Sequence, residues 1–196
     1  MDHYFINNES LESKLKKIKY EILGSSFEFT TDIGVFSKDK VDKGSDLLIN
    51  SYLGSHHKSL SILDVGCGYG VIGITIGLMT GSKVDMVDIN KRSVHLTKMN
   101  IKRLKCDAKA FYSDAYSRVI KKYDVIITNP PIRVGNEKLF EILLGAKKHL
   151  KKNGELWFVI SKNQGAGSVM KKLNNEYFIE IKMKKKGYFV FCAKSR

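Results

Sequence analysis

The chain has 196 residues, 43% of them hydrophobic, which is enough for one core and below the length at which a core usually splits. Its longest nearly apolar run, residues 71–79, falls short of the roughly 20 residues that a membrane helix needs, and its first residues lack the pattern of a secretory signal. Thirty-four Lys and Arg against 20 Asp and Glu give a formal net charge of +14, which attracts polyanions. We therefore expect a cytoplasmic protein with no membrane partner and with RNA as the natural binding candidate.

Cysteine and histidine usage argues against disulfides and metal sites. Cys67, Cys106 and Cys192 are odd in number, and their spacing fits neither a disulfide framework nor a zinc site. The five histidines are scattered along the chain. The sequence therefore predicts a reducing compartment and no metal.

The first 55 residues predict a β-hairpin and a helix. Residues 17–23 and 26–30 are strand-like on either side of Gly24, and a helix is expected at residues 43–53, ending at Gly54. This segment is too small for a core of its own. We therefore treat residues 1–55 as an N-terminal extension that packs on the domain of residues 56–196.

From about residue 60 the chain alternates strand-like and helical stretches. Strands are predicted at residues 61–65, 83–88, 108–112, 124–128 and 155–161. Helices are predicted at residues 71–80, 91–104, 115–121, 137–150 and 167–173, the second of them capped by Asn90. A terminal hairpin turns at Lys186-Gly187. Such alternation is typical of an α/β fold, a parallel sheet with helices on both faces.

A glycine-rich loop follows the first central strand. Gly68-x-Gly70-x-x-Gly73 satisfies a dinucleotide-binding fingerprint at a strand-to-helix turn. Glycines there let the backbone turn sharply and let a ligand approach main-chain atoms. Both a pyrophosphate and an uncharged nucleoside can use that space, so the loop alone leaves the ligand open.

Three acidic residues at successive strand ends narrow the choice of ligand. Asp64 would repel a pyrophosphate, whereas S-adenosylmethionine carries a sulfonium and an ammonium. Asp88 lies where an acid accepts hydrogen bonds from ribose hydroxyls, and Asp114 can accept from an adenine amine, with Ala115 leaving room for the ring. The alternative interpretation is helix capping and loop solvation. Taken together, the acids favour the cationic cofactor.

The chain's two prolines stand together in Asn129-Pro130-Pro131, after the fourth central strand. The lone pair of an exocyclic base amine is delocalised into the ring, so the amine becomes nucleophilic when acceptors hold its hydrogens out of plane. The side-chain oxygen of Asn129 and the main-chain carbonyl of Pro130 can do this, and the prolines stiffen the turn. The alternative is a plain strand-terminating turn.

These motifs in this order resemble class I S-adenosylmethionine-dependent methyltransferases, specifically the small-domain family of ribosomal RNA small-subunit guanine-N2 methyltransferases. The upstream Gly34-Val-Phe-Ser37, with Asp42 and Gly44, extends the resemblance. It implies a Rossmann-like, seven-stranded, mostly parallel sheet with a terminal antiparallel hairpin. It also implies methyl transfer from S-adenosylmethionine to the N2 amine of a guanine in small-subunit (16S) ribosomal RNA, free or within the subunit.

The resemblance also implies roles for individual residues. The expected cofactor-binding residues are Phe36, Asp64, Gly66, Cys67, Gly68, Gly70, Asp88, Ile89, Asp114, Ala115 and Asn129. Phe36 covers the site, and the flipped target base meets Asn129, Pro130, Pro131 and Ile132, the expected catalytic residues.

Two departures from the family pattern concern the acceptor. Many relatives carry an aromatic residue where this chain has Ile132, and the guanine-N2 enzymes carry a second, degenerate copy of the domain that is not present here. RNA must then be positioned by the N-terminal extension, the basic surface or a second subunit. The sequence is therefore compatible with both a monomer and a homodimer. The basic stretches at residues 14–19 and 182–186 are candidate phosphate contacts.

Other functions stay open at this point. The same chemistry suits an adenine N6 amine in RNA or DNA, or a protein glutamine. An NAD-dependent oxidoreductase would use Gly68-x-Gly70-x-x-Gly73. A catalytically inactive RNA-binding protein could retain the fold.

Overall fold

The computed structural model describes residues 13–33, 35, 37–131, 135–162 and 165–196. Its strands are β1 Lys16–Ile22, β2 Ser25–Thr31, β3 Ser61–Val65, β4 Lys83–Asp88, β5 Ala108–Tyr112, β6 Tyr123–Thr128, β7 Leu150–Ser161, β8 Tyr177–Lys185 and β9 Tyr188–Ser195. Its helices are α1 Lys43–Leu53, α2 Val71–Thr80, α3 Lys91–Leu104, α4 Asn136–His149 and α5 Ala166–Leu173.

Seven strands form one sheet in the order β5-β4-β3-β6-β7-β9-β8. β3 to β7 run parallel, and β9 pairs antiparallel with both β7 and β8. This confirms the Rossmann-like, mostly parallel sheet with a terminal antiparallel hairpin. The strand order reverses at β3, between β4 and β6, and open α/β sheets bind ligands beyond the carboxyl ends of the strands at such a switch point.

Helices cover both faces of the sheet, as predicted. On one face, α1, α2 and α3 pack against side chains that include Ile62, Met86 and Trp157. On the other face, α4 and α5 pack against Leu63 and Phe158. Neighbouring residues of one strand thus enter opposite cores, which explains why the central strands are nearly continuous apolar runs.

The N-terminal strands β1 and β2 form the predicted hairpin, and a buried amide on α3 is one of the groups that hold it in place. Asn100 on α3 accepts from the N–H of Thr30 at 2.8 Å and donates to the Thr30 carbonyl at 2.9 Å. The same Nδ2 donates to the carbonyl of Tyr69 at 2.9 Å. A buried amide with all these partners connects the hairpin to the glycine-rich loop.

Helix α3 begins at the predicted cap. The side chain of Asn90 accepts from the N–H groups of Arg92 at 2.9 Å and Ser93 at 3.4 Å, satisfying two of the donors that a helix start leaves unpaired. At the other end Lys102 and Arg103 lie in the last turn, where positive charge is favourable.

The helix predicted at residues 115–121 is wrong, because this segment forms a turn. Ala115 adopts a left-handed φ of +42°, which a right-handed helix does not contain. The hydroxyl of Ser113 donates to the Ala115 carbonyl at 2.8 Å and accepts from the N–H of Arg118 at 3.1 Å. Serine side chains that bond nearby backbone in this way compete with helix formation.

The junction after α4 also differs from the prediction. Helix α4 ends at His149, and β7 begins directly at Leu150, five residues before the predicted strand. The extra residues form an irregularity in the pairing with β6, with Asn153 at a φ of +65°.

The helices are of ordinary length for a globular protein. The longest in the described part of the chain, α3 and α4, have 14 residues each. Among the residues that the structure describes, no helix has the length and apolar character needed to cross a membrane.

Candidate functional site

A cavity of about 600 Å³ opens at the carboxyl edge of the sheet, beside the switch point. This volume is in the usual range for small-molecule sites. The structure brings ten of the predicted site residues together in its wall: Gly66, Cys67, Gly68, Asp88, Ile89, Asp114, Ala115, Asn129, Pro130 and Pro131. Asp64 and Gly70 lie outside the wall. Phe36 and Ile132 fall outside the described residues.

The glycine-rich loop forms one side of the cavity. Gly66 and Gly68 have left-handed φ values of +75° and +59°, and a Cβ at either position would meet no described atom within 4 Å. Gly73 differs, because a Cβ there would lie 2.7 Å from Met86 Sδ. The first two glycines thus leave an open cradle for a ligand, whereas the last lets α2 pack closely on the sheet.

Several backbone donors of this loop are already occupied. The N–H groups of Gly66 and Cys67 both donate to the carbonyl of Val87, at 2.8 and 3.0 Å. The N–H of Gly68 donates to Asp88 Oδ2 at 2.9 Å. A pyrophosphate-binding loop needs such groups for the phosphates. These three N–H groups are therefore not available to a phosphate, which favours a ligand without phosphate.

Asp88 presents a carboxylate to the cavity from the end of β4. Its Oδ1 accepts from the N–H of Asn90 at 2.8 Å, and its Oδ2 from that of Gly68. Burial raises the pKa of Asp88 to about 6, against the lowering effect of these backbone donors. The ionised form, which predominates above pH 6, offers acceptors to hydroxyls and attracts positive charge.

Asp64 is fully buried behind the glycine-rich loop, although the sequence placed it beside the ligand. Its Oδ2 accepts from the N–H of Gly73 at the start of α2, at 2.9 Å, and no described residue bonds its Oδ1. Burial, together with the charge of Asp88, raises its pKa to about 7, against the lowering effect of the Gly73 N–H. A cation bound over the loop would stabilise the charged forms of both carboxylates, which burial disfavours.

Asp114 faces a lysine that the sequence analysis missed. Lys138 on α4 lines the cavity and forms an ion pair with Asp114 Oδ1 and, at 2.8 Å, with Glu141 Oε2. Beside them the turn at Ala115 keeps a small, buried side chain in the wall. This end of the cavity therefore has both an acceptor and a cation.

The amide of Asn129 is oriented by the cap and the first turn of α1. Its Nδ2 lies 3.2 and 3.3 Å from the two carboxylate oxygens of Asp42 and 3.0 Å from Ser45 Oγ. Since a carboxylate only accepts hydrogen bonds, the amide nitrogen must face Asp42. Among the described residues none donates to Asn129 Oδ1. The amide oxygen is thus left as an acceptor at the cavity.

Asp42 holds this position because it caps α1. Its Oδ1 accepts from the N–H groups of Gly44 at 2.9 Å and Ser45 at 3.2 Å, in the usual manner of an N-cap. One carboxylate therefore fixes both the start of a helix and the orientation of Asn129. The sequence predicted only that Asp42 is an acid just before a helix. It did not predict the contact with Asn129, which is 87 residues away.

Among the residues that the structure describes, no cysteine belongs to a metal cluster. Cys67, Cys106 and Cys192 are buried and free. Within the described ranges, no group of three or more His, Cys, Asp or Glu side chains is arranged to hold a metal ion.

Comparison with known proteins agrees with this geometry. The family described as Methyltransferase small domain matches residues 26–192. The chain belongs to the methyltransferase small domain family. It is 40% identical over 199 residues to YbxB, an uncharacterized protein of Bacillus subtilis (strain 168), with 98% of each chain covered. It is 32% identical over 151 residues to ribosomal RNA small subunit methyltransferase C of Buchnera aphidicola subsp. Acyrthosiphon pisum (strain APS), covering 74% of this chain and 44% of that protein.

A solved structure shares the fold of this methyltransferase. The 16S rRNA N2 G1207 methyltransferase (RsmC) of T. Thermophilus, in complex with AdoMet and guanosine, has a TM-score of 0.83 and 25% sequence identity to it. The match covers 95% of this chain and 52% of that one. The chain thus spans about half the length of the ribosomal RNA methyltransferases it matches, and nearly all of YbxB.

The family's cofactor is S-adenosylmethionine, and the cavity fits it. The open cradle at Gly66 and Gly68 accommodates the ligand, and Asp88 supplies hydrogen-bond acceptors and, when ionised, a negative charge that favours a cation. S-adenosylmethionine has no phosphate, so it does not need the N–H groups of Gly66, Cys67 and Gly68, which already have acceptors in the protein.

The Asp42→Ser substitution tests the orientation of Asn129. Serine still caps α1, so we expect unfolding stability to change by less than about 1 kcal/mol. Without the carboxylate the Asn129 amide can rotate, and kcat should fall by about tenfold, because a preorganised acceptor becomes disordered. Steady-state kinetics and thermal unfolding measure the two effects. The control is Asp46→Ser. The carboxylate of Asp46, on the same helix but away from the cavity, accepts a hydrogen bond from Tyr20, and its removal should preserve kcat. A normal kcat in Asp42→Ser would contradict the orienting role.

Proposed function

We propose that this methyltransferase transfers a methyl group from S-adenosylmethionine to the N2 amine of a guanine in small-subunit (16S) ribosomal RNA. The observation that carries the proposal is the Asn129 amide, whose nitrogen is held by Asp42 and Ser45 and whose oxygen is left to accept, in the same cavity as Asp88. A hydrogen-bond acceptor that is fixed in this way can recognise a hydrogen-bond donor, and the exocyclic amine of a base is such a donor. A guanine acceptor would be reached in the cytoplasm, where small subunits are made.

Asn129 and Pro130 act on the nitrogen that is methylated. The Oδ1 of Asn129 and the carbonyl of Pro130 accept the two amine hydrogens and hold them out of the ring plane, so that the lone pair points away from the ring. Bound S-adenosylmethionine supplies an electrophilic methyl group on a sulfonium. The two acceptors stabilise the positive charge that develops on the nitrogen, which then releases a proton to water.

The carboxylate of Asp88 favours the cofactor over its product. Asp88 lines the cavity and is ionised above pH 6, so it attracts the sulfonium, whose charge disappears when the methyl group leaves. This carboxylate therefore interacts more weakly with the neutral thioether of S-adenosylhomocysteine. This difference promotes product release.

The basic residues nearest the cavity support an RNA acceptor. Lys38 and Lys40 line the cavity, and Lys185 and Lys186 are exposed at the turn before β9. Among the described residues, no ion pair joins Lys185 or Lys186 to an acid. By contrast, Lys16, Lys17 and Lys19 of β1 pair with nearby acids at 2.7, 3.2 and 2.6 Å. We therefore assign the phosphate contacts to the turn at residues 185–186 and the rim at residues 38–40 in preference to β1.

Methyl transfer to ribosomal RNA tests the proposal. Small subunits from a strain that lacks this gene are incubated with the protein and methyl-labelled S-adenosylmethionine, with large subunits as the control. We expect label in the small-subunit RNA and, after digestion to nucleosides, N2-methylguanosine by mass spectrometry. Label in N6-methyladenosine or in the ribosomal proteins would identify the alternative acceptors and overturn the guanine assignment. Tight binding of NAD in place of S-adenosylmethionine would overturn the reaction itself.

A further inference from the structure

Tyr188 reaches the cavity because of the reversed direction of its strand. β9 runs antiparallel to β7, so its first residue, Tyr188, pairs with Ser161 at the carboxyl end of β7. That end belongs to the edge at which the parallel strands place the cavity. Tyr188 is half-buried and lines the same cavity as Asn129.

The ring of Tyr188 is a neighbour of the Asn129 amide. A Cβ at Gly44 would lie 3.3 Å from Tyr188 Cε1 and 3.5 Å from Asn129 Nδ2. The same point is 3.1 Å from Asp42 Oδ1. The absence of a side chain at Gly44 thus lets an aromatic ring approach the acceptor amide and the carboxylate that orients it.

Tyr188 also differs from the other aromatic residue that lines the cavity within the described part of the chain. Tyr69 is 3% exposed and packs edge-on against Phe29 of the N-terminal hairpin. Tyr188 also packs against the core on one face of the sheet but remains partly exposed in the cavity wall, and no described hydrogen bond involves its hydroxyl. The part of the side chain that faces the cavity is therefore available to a ligand.

We propose that Tyr188 stacks on the acceptor base and holds the base plane in line with Asn129; this inference rests on the proposed function. An acceptor at the edge of a base fixes the amine only if the ring is held flat, and an aromatic face provides that support with little dependence on base identity. Lys185, which pairs with Tyr188 across the hairpin, places a cation beside the nucleotide that carries this base.

Substitution at Tyr188 tests the proposal with two measurements on the full chain. One is kcat/KM for methylation of small subunits; the other is the affinity of the S-adenosylhomocysteine-loaded protein for guanosine 5′-monophosphate, used as the probe. Tyr188→Ala should lower kcat/KM and the affinity for the probe by about 10- to 100-fold. Tyr188→Phe keeps the ring and should stay within about twofold of the wild type in both. Affinity for S-adenosylmethionine should be unchanged in both variants.

The control Phe178→Ala removes an aromatic ring that is 61% exposed at the other end of the same hairpin, and it should change neither measurement. Equal losses in Tyr188→Phe and Tyr188→Ala would assign the effect to the hydroxyl and overturn stacking, as would normal values in Tyr188→Ala or absence of probe binding to the wild type. If the wild type binds the probe in a Tyr188-dependent manner but methylates no ribosomal RNA, the proposed acceptor fails and the stacking role stands.

Discussion

Replacing Asn129 with alanine is expected to lower kcat by about two to three orders of magnitude, the usual effect of removing one preorganised hydrogen-bonding group from a transition state. The variant loses the Oδ1 that accepts the amine hydrogen, and it leaves Asp42 and Ser45 without their shared donor. Steady-state kinetics measure kcat, and calorimetry with S-adenosylmethionine shows whether the cofactor still binds within about threefold.

A matched asparagine controls for the loss of an amide. Asn50 on α1 is also half-buried and also donates to an aspartate, Asp46 at 3.0 Å, but it does not line the cavity. Asn50→Ala should therefore keep kcat within about twofold of the wild type. If Asn129→Ala and Asn50→Ala had similar rates, Asn129 would have no part in the reaction.

Binding of S-adenosylmethionine is expected to weaken by about tenfold between pH 8 and pH 5. Burial raises the pKa of Asp88 to about 6 in the free protein, and the ionised form is the one that accepts hydrogen bonds and attracts the cation. Binding must therefore displace a proton from Asp88 below pH 6, so the affinity falls as the pH falls. Calorimetry across this range measures the dissociation constant.

The Asp88→Asn substitution identifies the titrating group. We expect it to weaken binding at pH 8 by about 10- to 100-fold, since hydrogen bonds to a charged acceptor are lost, and to flatten the pH dependence. A shallow dependence that remains would be the contribution of Asp64, whose raised pKa is about 7. Asp85→Asn, on the same strand but outside the cavity, should bind as the wild type does. The same pH dependence in Asp88→Asn and wild type would exclude Asp88 as its source.

The regular elements were largely predictable because their signals are local. β3, β4, β5, α1, α2 and α3 have the predicted bounds, since apolar periodicity and glycine or asparagine at their ends determine them. The prediction failed at residues 115–121, where Ser113 bonds backbone groups of the following turn and prevents a helix. Such side-chain competition depends on geometry that periodicity does not measure.

The site was predictable only in part. Strand ends on either side of a switch point converge, so the order of motifs along the chain was enough to expect Asp88, Asp114 and Asn129 in one cavity. The direction in which a side chain turns could not be predicted. Asp64 also lies at the carboxyl end of a strand. Its side chain is nevertheless buried against α2, where it accepts a hydrogen bond from the N–H of Gly73 instead of lining the cavity.

Local patterns of residue types were sufficient to predict the fold class and the glycine-rich loop, and the order of the acidic residues along the chain was sufficient to favour the type of cofactor. The orientation of the Asn129 amide and the position of Tyr188 in the cavity wall were decided only by tertiary packing. Asp42 and Asn129 are 87 residues apart, and Tyr188 arrives from an antiparallel strand at the end of the chain. Contacts between such distant residues follow from how strands and helices pack around the sheet, which local patterns do not contain.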